Sequence, residues 1–102
     1  MKMNNLMKQA QKMQAQMMKM QEELLKEEVE GISGGGMVRV KANGQGDILA
    51  ITLEKEVVDP EDVDMLEDLI LAAINDAIKK SKELANSRMG KMAPGLGNLG
   101  IM

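Results

Sequence analysis

Apolar side chains recur along the first quarter of the chain at Met3, Leu6, Ala10, Met13, Met17, Met20 and Leu24, in alternating steps of three and four residues. That spacing predicts a helix over about residues 3–27 carrying one continuous heptad stripe. Gln, Lys and Met favour helix, and neither Gly nor Pro interrupts the run. At 1.5 Å per residue the helix is about 37 Å long, whereas a domain of about 100 residues has a radius of gyration near 13 Å. Part of it must project from its own domain. The stripe then needs another surface to cover it, and self-association is the economical source.

The period changes to two over about residues 28–54. Val38, Val40 and Ala42 alternate with Met37, Arg39 and Lys41, and Leu49, Ile51 and Leu53 alternate with Ile48, Ala50 and Thr52. Both runs read as half-buried strands. Asn43-Gly44 between them suits a type I′ hairpin turn, and Glu27–Ile32 can form a preceding edge strand, with Gly34-Gly35-Gly36 allowing the reversal. Asp59-Pro60-Glu61-Asp62 then reads as a helix start, with a capping Asp, a Pro at the first helical position and acids at the positive end of the dipole. The second helix is expected over about 60–87. Its apolar face of Val63, Leu66, Leu69, Ile70, Ala73, Ile74, Ala77 and Ile78 looks wide enough to cover a three-stranded sheet. Small Ala73 and Ala77 favour close packing. Residues 89–102 show neither period and are expected to be a flexible tail. The fold class predicted is α+β: one α-β-β-β-α domain over 1–88, in two layers, with a three-stranded antiparallel sheet and a long projecting N-terminal helix, assembled as a dimer.

Composition removes most chemistry. The 102 residues contain no Cys, His, Phe, Tyr or Trp. Disulfides, Cys/His zinc sites, thiol nucleophiles and an imidazole base are excluded, and no ring can stack on an unpaired base. No acid, base and nucleophile set can be assembled, so an enzyme is not expected. The tail spells Gly95-x-Gly97-x-x-Gly100, but a dinucleotide site needs a helix after those glycines and only two residues follow. Met13, Met17, Met18 and Met20 could offer thioethers to Cu(I). Packing explains them better, because most of the early methionines lie on the stripe. The expectation is no metal and no cofactor.

The net charge of −3 alone argues against a nucleic-acid partner, but the charges are segregated. Residues 1–21 carry Lys2, Lys8, Lys12 and Lys19 without an acid, and Lys79, Lys80, Lys82, Arg88 and Lys91 face only Glu83. Between them Glu54, Glu56, Asp59, Glu61, Asp62, Asp64, Glu67 and Asp68 stand against Lys55. The opening Met1-Lys2-Met3-Asn4-Asn5 leads into a polar helix and no stretch has the length of a membrane span, so a soluble, cytoplasmic protein is expected.

Four ordered blocks carry a resemblance: Gly31-Ile32-Ser33-Gly34-Gly35-Gly36-Met37-Val38-Arg39-Val40; Asn43-Gly44-x-Gly46; Val57-Val58-Asp59-Pro60-Glu61-Asp62; and Leu66-Glu67-Asp68-Leu69-Ile70-x-Ala72-Ala73-Ile74-Asn75-Asp76-Ala77. With the Met/Gln/Lys-rich leading helix and the Gly/Leu tail, the chain resembles the YbaB/EbfC family over nearly its whole length. The resemblance implies an α-β-β-β-α domain dimerised with its long helices held like tweezer arms. It also implies double-stranded DNA as ligand, a place in the nucleoid, and replication or recombination proteins as further partners. On charge placement, Lys2, Lys8, Lys12, Lys19, Lys79, Lys80, Lys82, Arg88 and Lys91 are the candidate phosphate contacts, and Met3, Leu6, Ala10, Met13, Met17, Met20 and Leu24 the candidate arm-packing residues. Few groups are placed to read base edges, which predicts weak sequence preference. The alternative is a protein-binding adaptor whose heptad arms clasp a partner's helix.

Overall fold

A computed structural model describes residues 2–92, with backbone only for Lys2 and Met92. The order is α1 (Lys2–Lys26), β1 (Glu28–Ser33), β2 (Val38–Asn43), β3 (Ile48–Leu53) and α2 (Val63–Met92), with short 3-10 turns at Gly34–Gly36 and Lys55–Val57. The strands form one antiparallel sheet in the order β1-β2-β3. Chain order and sheet topology are therefore those expected from the periodicities. The long axis measures 72 Å and the radius of gyration is 19.3 Å, well above the roughly 13 Å of a compact chain of this size. The excess is α1, an arm that leaves the domain.

Residues with the two-residue period on β2 build the core. Val38, Val40 and Ala42 are completely buried and pack against Ala73 and Ala77 of α2. Gly31 sets how closely α2 approaches. A Cβ there would lie 2.2 Å from the Ala73 carbonyl oxygen and 2.3 Å from the Ala77 nitrogen, so helix and strand touch backbone to backbone.

Four expectations are corrected. The β2–β3 connection is not a two-residue type I′ turn: neither Asn43 nor Gly44 has positive φ, and the left-handed residue is Gly46, at φ 88°. Asn43 accepts from the Gly46 N–H at 3.1 Å and its own N–H donates to Asp47 O at 3.0 Å, the signature of a three-residue loop ending in a left-handed glycine. Second, Asp59-Pro60 does not start α2. The Asp62 N–H closes a turn on Asp59 O at 3.0 Å, and the helix begins at Val63, where Asp62 Oδ1 accepts from the Met65 N–H at 3.3 Å as an N-cap does. Third, α2 runs through residues 89–92, so these do not belong to a tail; residues 93–102 lie outside those described. Gly90 sits in the helix with open space around it and costs it only about 1 kcal/mol, too little to end it.

The fourth correction concerns coverage. α2 lies over β1 and β2 only, and every residue of β3 is exposed, Ile51 and Leu53 among them. These two pair with Val40 and Val38, so they share the core face but lack a cover. A single helix about 10 Å wide spans two strands spaced about 4.8 Å apart, not three.

Candidate nucleic-acid interface

The arm is held only at its root. The Gly44 N–H donates to the carbonyls of Leu24 at 2.7 Å and Glu27 at 3.1 Å, and the Gln45 side-chain amide donates to Gln21 O at 3.0 Å. The β2–β3 loop thus satisfies carbonyls that the end of a helix leaves open. Gly44 is small for this reason: a Cβ would lie 2.7 Å from Leu24 Cδ2 and 2.8 Å from Leu24 O. Leu24 itself is buried, in a groove shared with Met20, Ile78, Ala85 and Met89. On the other side of the root Arg88 of α2 bonds Glu27 and lies 3.8 Å from Glu23.

Among the described residues nothing covers the arm beyond its root. Met3, Leu6, Met13 and Met17 are 77, 64, 55 and 42% exposed, and Ala10 is exposed with them. Since residues 2–26 form one unbroken helix, sequence positions convert to angles at 100° each. Lys8, Lys12, Lys19 and Lys26 then fall within roughly 40° of one another, on a face about 150° from the centre of the Met/Leu stripe. All four are exposed. Lys26 was not among the sequence-based candidates. Its interval of seven from Lys19 was the available signal, hidden because Glu22 and Glu23 make the local charge look mixed.

The α2 candidates divide into two groups. Lys79, Lys82 and Lys91 are exposed, and Lys91 lines a groove with Lys19 and Gln16, which joins the lysine face of the arm to the end of α2. Lys80 and Arg88 are already engaged within the chain: Lys80 pairs with Asp76 at 3.0 Å and donates to Glu30 O at 2.9 Å, and Arg88 is committed to the arm root. The side chain of Lys2 lies outside those described. Two cations that charge counting passed over, Arg39 and Lys41, point out from the exposed face of β2, where Lys41 stands opposite Glu30.

The sheet's two edges differ. On β1 the outward groups are occupied by α2: Ile32 N–H donates to Asp76 at 3.0 Å and Lys80 takes Glu30 O. The Asp76 carboxyl is held below its ordinary pKa, first by the Ile32 N–H and next by Lys80. This edge cannot accept another strand. Among the described residues the β3 edge has no such cover, and beside it α2 turns Leu71, Ile74 and Ile78, which lie on the flank away from Asp76 and Lys80. Leu71 is 58% exposed.

Among the described residues no cluster of acids has the arrangement of a metal site, and no helix is long and apolar enough to cross a membrane. The chemistry the surface offers is charge and packing.

Comparison with known proteins agrees. Residues 1–96 match the model of the YbaB/EbfC DNA-binding family. A nucleoid-associated protein of Ruminiclostridium cellulolyticum is 55% identical over 97 residues, covering 95% of this chain and 84% of its own. One from Bacillus thuringiensis is 59% identical over 94 residues, covering 92% and 86%. The fold is shared with the crystal structure of an uncharacterized protein from Helicobacter pylori, at TM-score 0.76 and 24% identity over 85% of this chain and 91% of that one. The chain therefore belongs to the YbaB/EbfC DNA-binding family.

Proposed function

We propose that this chain acts as a twofold dimer that holds the backbone of double-stranded DNA, with little sequence preference, through the lysine face of each arm and the exposed lysines of α2. Membership of the family makes it a non-catalytic, nucleoid-associated DNA-binding protein; the contacts and the assembly are the proposal. The observation that carries it is the alignment of Lys8, Lys12, Lys19 and Lys26 on one exposed face of a projecting helix that holds no acid before Glu22. Lys79, Lys82 and Lys91 extend the footprint. Lys80 and Arg88 drop to positioning roles, because their charge is balanced at home.

Twofold pairing through β3 is supported by the blocked β1 edge and by Ile51, Leu53 and Leu71, which a second copy would cover. It also doubles the lysine faces. Residues that could read base edges are few on the arm's cationic face, so recognition rests on phosphate neutralisation and on how readily the duplex conforms.

A gel shift on duplex DNA at low salt tests the reading. The protein should retard the duplex, and Lys8→Glu with Lys12→Glu should abolish retardation while leaving the fold intact. Equal retardation by that variant would refute the arm contacts. If neither protein retards DNA and the arms instead recover a defined protein, the adaptor reading takes its place.

A further inference from the structure

The lysine face explains half of the arm and leaves the other half unexplained. Opposite the lysines, Met3, Leu6, Met7, Met13, Met17 and Met18 form an apolar sector exposed along most of the projecting length. Phosphate contacts cannot cover it, since they lie about 150° around the helix. What flanks the sector identifies the occupant. In the register of the stripe, Lys2, Gln9 and Gln16 border it on one side and Met7 and Gln14 on the other. These are the positions where a coiled coil chooses its partner by charge, and here all but Lys2, at the tip, are neutral. An acidic partner helix would find no lysine beside the seam after Lys2, whereas an identical arm would meet an identical heptad stripe with almost no charge along it.

We infer that the apolar faces of two arms from different copies pack on one another and leave their lysine faces pointing outward in opposite directions, so that each arm pair carries two duplexes and bridges them. The bridging part rests on the DNA contact proposed above; the arm pairing does not. The free stripe from Met3 to Met17 is about two heptads, which is marginal as an isolated coiled coil. Pairing should therefore be weak between free molecules and strengthened where DNA concentrates the arms. Methionine suits such a seam, because its pliable thioether fills an imperfect interface.

The absence of cysteine makes the pairing directly testable without DNA. Met13→Cys places a lone thiol on the seam and Lys12→Cys places one on the lysine face. Under mild oxidation at high protein concentration, Met13→Cys should form covalent dimers at least about five-fold faster; equal rates would overturn the pairing. Bridging is read by the recovery of a free labelled duplex on beads that carry a second duplex. The wild type should recover it, and a Leu6→Gln, Met13→Gln, Met17→Gln variant, which changes no charge and keeps good helix formers, should fall to background. Its affinity for a single duplex should stay within about two-fold of wild type. Undiminished recovery by that variant would overturn the bridging. No duplex binding by the wild type would sink the DNA reading and bridging with it, while the thiol comparison would still decide the arms.

Discussion

Replacing Gly31 by Ala introduces one methyl where β1 and α2 meet. The new Cβ would lie 2.2, 2.3 and 2.8 Å from Ala73 O, Ala77 N and Ala77 Cα, all of them backbone atoms that no rotamer change can move. Reaching ordinary contact near 3.4 Å requires helix and strand to part by about 1 Å, which opens the packing around Val38, Val40 and Ala42. Overpacking costs about 1–3 kcal/mol when side chains can yield; with only backbone to yield, the upper end, about 3 kcal/mol or more, is expected. For a chain of this length that lowers Tm by roughly 12–24 °C. The assay is thermal unfolding followed by far-UV circular dichroism at one fixed protein concentration, because association shifts apparent stability. Gly90→Ala is the control of opposite sign: it too adds a methyl, but into open space within α2, and should stabilise by about 0.5–1 kcal/mol. A Gly31→Ala transition within about 4 °C of wild type would mean a loss under about 1 kcal/mol and would refute the close approach of α2 to β1.

Arg88→Ala should destabilise by about 1 kcal/mol and loosen the arm root, yet leave the salt dependence of duplex binding unchanged; a lower slope would return Arg88 to the phosphate contacts. Because the folded Asp76 carboxyl has a lowered pKa, it contributes stability above the unfolded value of about 3.9 and loses it as pH falls through the folded one. Urea midpoints of wild type and Asp76→Asn should therefore differ at neutral pH and converge in acid, and a gap that widens in acid would contradict the assignment. Ile51→Glu with Leu53→Glu should convert the proposed dimer to monomer in sedimentation, whereas an unchanged dimer mass would move the interface away from β3.

The elements that were legible in the sequence are those governed by local periodicity. The arm showed itself because an isolated helix depends on little but its own stripe, and β2 because its alternating positions are buried on the core face. β3 alternates just as cleanly, but its apolar residues face a space that the described residues do not fill. Asn43-Gly44 looked like a turn on its own terms. Gly44 is small because Leu24 lies against it, a contact formed by tertiary packing, and the positive φ moved to Gly46. Asp59-Pro60 carries a helix-start pattern that the chain uses for a turn, leaving Asp62 as the cap. The same limit applies to the candidate site. Counting charge by segment found the arm lysines but missed Lys26, which only the helical angle brings into line. It could not show that Arg88 is taken, since Glu27 lies 61 residues away; for Lys80 the i,i+4 partner Asp76 was within reach of the sequence, but the bond to Glu30 O, 50 residues away, was not.

A salt titration of duplex binding bears most directly on the whole account. With six or more phosphates neutralised by a dimer, affinity should fall on the order of 10³-fold between 50 and 200 mM salt, and Lys8→Glu with Lys12→Glu should flatten the slope of whatever binding is left. Wild-type affinity that holds constant across that range would contradict a lysine face that works by displacing counterions.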